Sequence, residues 1–184
     1  FMSDNGMASG GSGIPDERGV ISMPDNHTTS KLDMREDYFF PYNLDDPDAR
    51  YKLPAYLTEI SGIAYYQEQR MACVQDEKAN IYFLNLDKEE ISGKYDFGKD
   101  GDYEDIAVVG KTAYILRNDG QIFRVKNFKG KKPEVKKFKT LLSNKNDTEG
   151  MAFDPLTNSL LIACKGSPSI KKDNPYKNHR AVYR

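Results

Sequence analysis

Three glutamates, Glu59, Glu104 and Glu149, recur at intervals of 45 residues, each just ahead of a short apolar run, in "EISGIAYY", "EDIAVVG" and "EGMAF". A carboxylate can act as an acid or base, ligate a hard cation, or accept backbone N–H bonds. Carboxylates brought to one place raise one another's pKa, so they must be protonated, held by donors or bound to a cation. A hard, oxygen-seeking ion such as Ca2+, which takes roughly 6–8 oxygen ligands, answers that requirement, with water and backbone carbonyls completing its shell. Two other readings stand beside it. Each glutamate accepts N–H bonds from the adjacent repeat and so locks the repeats together, or one of them is a catalytic carboxylate.

Asp102 and Asp147 stand two positions before the second and third glutamates, where Leu57 breaks the pattern in the first. They read as turn residues or as hydrogen-bonding groups between repeats. Arg117 and Lys165 fall near the ends of second strands, where a cation would either help hold an anionic ligand or be solvated.

Other chemistry has thin support. The two histidines are His27 and His179. "EISGIA" is no G-x-S-x-G elbow, so Ser61 reads as a small packed residue. Zinc-ligand spacing, a phosphate-cradling glycine loop and a dinucleotide fingerprint are all missing. No catalytic residue is assigned. Cys73 and Cys164 occupy nearly equivalent places two repeats apart, too far for the roughly 4.4–6.8 Å of a disulfide, and are expected as buried free thiols. "NHT" (26–28) and "NDT" (146–148) match the glycosylation triplet, which arises easily by chance.

The elements that must position the glutamates follow one grammar per repeat. A small apolar strand comes first: "ISGIAY" (60–65), "DIAVV" (105–109), "GMAF" (150–153). A tight turn leads to a second, "RMACV", "TAYIL" and "SLLIAC", and another to a third, "NIYFLNL", "QIFRVKNF" and "RAVYR". The first two repeats add a more polar fourth strand, "ISGKYDF" (91–97) and "EVKKFKTLL" (134–142). Four short strands per unit predict an all-β fold, a β-propeller with blades starting near 59, 104 and 149. A β-sandwich is the alternative that the fixed period argues against. No stretch keeps a 3.6-residue apolar period for three turns, so helices are expected to be scarce.

The 184 residues carry 27 basic and 28 acidic side chains, which removes a global electrostatic case for nucleic acid. The lysine-rich "KNFKGKKPEVKKFK" (126–139) reads as an outer strand whose charges discourage edge-to-edge pairing, against the bolder reading of a nucleic-acid patch. No apolar run approaches the roughly 18 residues of a membrane helix. Residues 1–37, rich in Gly, Ser, Asn, Asp and Met, read as a flexible tail, with the propeller over 38–184. "RYKLP" (50–54) alternates like a short strand. Residues 59–184 hold fewer than three repeats, so the chain is expected to be a piece of a longer propeller.

The pieces "EISGIAYY", "VQDEKANIYFLNL", "DFGKDGDYEDIAVVG", "NDTEGMAFDPLTNSLLIACKG" and "HRAVYR", in this order over about residues 50–184, resemble the SdiA-regulated family of bacterial β-propellers, Bacteroidetes-type members in particular. The resemblance implies six blades, a place in the cell envelope (periplasm or cell surface), and often a lipoprotein or membrane anchor, here in a segment outside this chain. It also implies that 38–54 supplies the strand that closes the ring. Related propellers with acidic inner-strand motifs bind calcium, and some, such as lactonases and phytases, are hydrolases. The expectation is a non-catalytic protein binding a small ligand or envelope partner through a Ca2+-stabilised channel mouth, with Glu59, Glu104 and Glu149 as metal ligands. The alternative is a metal-dependent hydrolase of phosphate esters or lactones.

Overall fold

Runs of alternating and β-branched residues separated by tight turns leave the backbone one economical solution, the antiparallel meander. The computed structural model describes residues 46–171, 176 and 178–184; the tail expected over 1–37 and the aromatic run 38–44 lie outside them. The first sheet joins β1 (Ile60–Gln67), β2 (Arg70–Gln75), β3 (Asn80–Asn85) and β4 (Glu90–Asp96) in sequence order. The second repeats it with β5 (Tyr103–Val109), β6 (Thr112–Arg117), β7 (Ile122–Lys126) and β8 (Glu134–Phe138). The third holds β9 (Thr148–Asp154), β10 (Ser159–Cys164) and β11 (Ala181–Tyr183). Gln69 takes positive φ in the two-residue link between β1 and β2, the conformation such tight links demand, and Glu89 and Asn158 take it at the ends of four-residue links.

The first strands of successive sheets pack on one another, β1 on β5 and β5 on β9. Consecutive meanders joined through their innermost strands are the blades of a β-propeller. Two four-stranded blades and one three-stranded blade are described.

The interior lies between blades. Val74, Ile81, Phe97, Tyr103, Ile106 and Phe123 fill the gap between the first and second, where Phe97, Tyr103 and Phe123 meet edge to face at centroid distances of 5.0–5.4 Å. Such ring pairs add about 0.5–1.5 kcal/mol each beyond the area they bury. Ala107, Leu116, Ile122, Met151 and Ile162 fill the gap between the second and third. The middle strands are the most buried, β3 almost throughout, because they have neighbours on both edges; β4 alternates between exposed and half-buried residues. The first strand reads as apolar in the sequence, yet Ile63 and Tyr65 of β1 are largely exposed.

The expected strand over 50–54 does not form. Pro54 has no N–H to give a ladder, and a single 3-10 turn, Ala55–Leu57, follows it. Leu57 buries its side chain with Cys73, Tyr82 and Leu84, and Tyr56 stacks on Tyr82 at 5.5 Å. The segment covers a face of the first blade rather than pairing an edge.

Candidate functional site

Register decides which side chains are equivalent. Each first strand carries an extra residue near its start: pairing skips from Ile60 to Gly62, from Tyr103 to Asp105, and from Gly150 to Thr148. The residues at the bulge are Ser61, Glu104 and Glu149. The backbone agrees, since Asp76 N donates to Glu59 O, Asn118 N to Asp102 O and Lys165 N to Asp147 O. Glu59 therefore corresponds to Asp102 and Asp147, and Ser61 takes the glutamate position. The first interval is 43 residues, not 45. The two cysteines also lose their equivalence: Cys73 pairs with Ile63, whereas Cys164 pairs with Thr148. Both are buried free thiols, with Cys73 pushed up to about 11 by burial.

Glu104 and Glu149 are brought together, with Asp102 and Asp147 beside them. Burial lifts the Glu104 carboxyl from its ordinary 4.5 to about 7, helped by a hydrogen bond with Asp102 and by the charges of Asp102, Glu149 and Asp147. Lys165 Nζ donates to Glu149 Oε1 at 2.7 Å and lies 3.9 Å from Asp147, and the Asn118 amide donates to Asp102. Glu149 pushes the Lys165 pKa upward. Glu59 is exposed in the turn before β1 and is not among the groups acting on Glu104. Arg117 is engaged by Asp119, its Nε donating at 2.9 Å.

A carboxyl whose folded-state pKa is raised favours the folded state below its ordinary pKa and loses that advantage as pH climbs through the folded value. The Glu104 contribution should thus fade between pH 4.5 and about 7. Glu104→Gln is expected to melt higher than the parent at pH 8 and to lose that difference near pH 5, as thermal melts across this range would show. Equal differences at both pH values would contradict the assignment.

The locking role expected of the repeated glutamates belongs to the neighbouring residue. Asp105 Oδ2 accepts Met151 N from the third blade at 2.7 Å, while Oδ1 accepts its own strand's Ile106 N at 2.7 Å. Burial outweighs these two bonds and holds the Asp105 pKa above the usual range. Hydroxyls act at both joints, Ser61 Oγ donating to Tyr103 O at 2.7 Å between the first two blades and Thr148 Oγ1 to Arg117 O at 2.8 Å beside Asp105. Backbone bonds run in parallel, from Tyr103 N to Asp76 O and from Thr148 N to Asn118 O. Asp105 carried no periodic signal, because Ile60 and Gly150 stand 45 residues either side of it.

The donors present suit a hard cation in type, and Asp76 Oδ1 is shielded from water without a hydrogen-bond partner. Among the described residues, however, no three His, Cys, Asp or Glu side chains are grouped to hold a metal ion. Asn146 of the "NDT" triplet is 1 % exposed and spends its amide on the Ser167 and Ser169 carbonyls, so the folded chain offers no acceptor there. No described helix is long and apolar enough to cross a membrane.

No protein-family profile matches the chain, and no curated protein does. Among solved structures it is similar to a luciferin-regenerating enzyme, at TM-score 0.45 and 14% identity, over 67% of this chain and 43% of that one. It is also similar to the β-propeller domain of Cps50 (Swd1) from Myceliophteria thermophila, at TM-score 0.44 and 14% identity, over 77% of this chain and 50% of that one. The chain thus spans half or less of the structures it matches.

Proposed function

We propose that the chain is part of a cell-envelope β-propeller of the SdiA-regulated type, a non-catalytic protein that binds a ligand or envelope partner at the acidic end of its first strands. One observation carries this reading: Asp102 and Glu104 on one blade meet Asp147 and Glu149 on the next, and their charges help raise the Glu104 pKa to about 7. Carboxylates held so close are relieved by a proton, by Lys165 or by an incoming cation. Ca2+ is the cation that their oxygen donors suit, with Glu104 and Glu149 as its protein ligands and backbone carbonyls and water supplying the rest. It would compete with the proton on Glu104 and with the Lys165 ammonium on Glu149. Glu59, the third glutamate expected as a ligand, is exposed and stands where the other blades have aspartate.

Calcium titration of the full chain tests this. A bound ion raises the melting temperature by mass action, more at pH 8 than at pH 5.5, and Glu104→Gln should blunt the rise. No rise at pH 8, or an equal rise in the variant, would sink the calcium site. The raised Glu104 pKa also suits a general acid or base near neutral pH, which supports the second reading, a metal-dependent hydrolase. Turnover of a phosphodiester or lactone that needs Ca2+ and vanishes in the same variant would select it.

A further inference from the structure

The opposite end of the first strands carries the other charge. β5 runs from the acidic cluster to the Gly110–Lys111 turn, and β7, antiparallel to β6, ends at Lys126 opposite Thr112. The β5–β6 and β7–β8 turns therefore lie together, next to the end of β1. They border a cleft of about 450 Å³ lined by Tyr66, Lys111, Phe128, Lys129, Lys131 and Lys132, with no acidic residue in its wall. None of these four lysines forms an ion pair among the described residues. Lys129 Nζ sits 4.5 Å from the Tyr66 ring centroid, and that ring meets Phe128 edge to face at 5.6 Å. The Tyr66 hydroxyl is shielded from water and has no hydrogen-bond partner.

We infer that this cleft is a binding site for a small, multiply charged anion of the phosphate class. Four ammonium groups around one concavity with no carboxylate partner repel one another, and phosphate oxygens neutralise them. The aromatic floor fixes Tyr66 and leaves room for an organic group beside the charge. Two further lysines of the stretch lie over rings away from the cleft. On β8, Lys136 lies over Phe138 and Lys137 over Phe123, each 5.0 Å from the ring centroid. Lysines converging on one concavity of about 450 Å³ argue for a compact ligand over a nucleic-acid duplex. The cleft is independent of the acidic end, and either site can fail without the other.

Inorganic pyrophosphate titrated into the full chain by calorimetry is expected to bind saturably at one site and to raise the melting temperature. The double variant Lys129→Gln, Lys131→Gln should weaken binding by about tenfold or more, since deleting a single charge-assisted hydrogen bond already takes away about that order of affinity. Lys136→Gln with Lys137→Gln should bind as the parent does. Retention on phosphatidic acid vesicles but not phosphatidylcholine vesicles, relieved by pyrophosphate, would assign the anion to a lipid headgroup; binding in solution alone would assign it to a soluble ester. Absence of saturable binding overturns the site, as does equal loss in the β8 variant or tighter binding of a short DNA duplex than of pyrophosphate.

Discussion

Replacing Asp105 with alanine is expected to lower the free energy of unfolding by about 2–3 kcal/mol, read as a drop in the urea midpoint at unchanged slope. The change strands two backbone donors, Ile106 N within the strand and Met151 N across the blade joint. Leaving a buried donor unmatched costs about 1–3 kcal/mol. Relief of the carboxylate's own burial, which already holds its pKa above the usual range, returns part of that loss. Asp105→Asn keeps one acceptor but turns an NH2 toward the other N–H, so its cost should fall between parent and alanine. A loss below about 0.5 kcal/mol, the ordinary range for surface changes, would mean that apolar packing and the Thr148 bonds hold the second and third blades together without Asp105.

Gly62→Ala should be at least as damaging, by about 2–3 kcal/mol or more. A Cβ at this position would stand 2.8 Å from Asp105 Cα and from Ile106 N, and 2.9 Å from Asp105 Oδ1. Two of those three are backbone atoms, so the clash is relieved only by parting β1 from β5 and opening the apolar layer between the first two blades. Gly150 is the internal control. It occupies the corresponding place on the third blade, yet its added Cβ would meet only Ala163 Cβ at 3.7 Å, an ordinary contact. Gly150→Ala is therefore expected to be nearly neutral. Combined with Asp105→Ala, Gly62→Ala should cost less than the two separate losses together, because Asp105→Ala removes Oδ1, one of the three atoms the new Cβ would strike. Strict additivity would refute that coupling.

The blade grammar was legible in the sequence because it depends on local signals. Apolar alternation marked each strand, and turn residues such as "DPLTN" marked each reversal, so most strand positions fall where periodicity placed them. Equivalence between blades was less legible, because the links after β7 and β8 are longer than those after β3 and β4, so a fixed period misaligns the first blade. Glu59 mimicked the later glutamates through a two-residue slip, and pairing partners alone reveal that Ser61 is their true counterpart. "RYKLP" misled for a similar reason. Its alternation suited a strand, but Pro54 and the pocket awaiting Leu57 favoured a turn. Asp105 was silent, since a residue that bonds across a joint only once has no period to detect. The cleft was out of reach as well, because Tyr66 and Lys129 lie 63 positions apart and meet only when two blades dock.

Carboxylates at one pole and ammonium groups at the other make the net charge of −1 a poor guide to behaviour. That separation gives the described blades an electric dipole, which turns in a field and approaches any charged wall with a preferred side forward. At low ionic strength the protein should adhere to cation- and anion-exchange resins alike, each gripping a different pole.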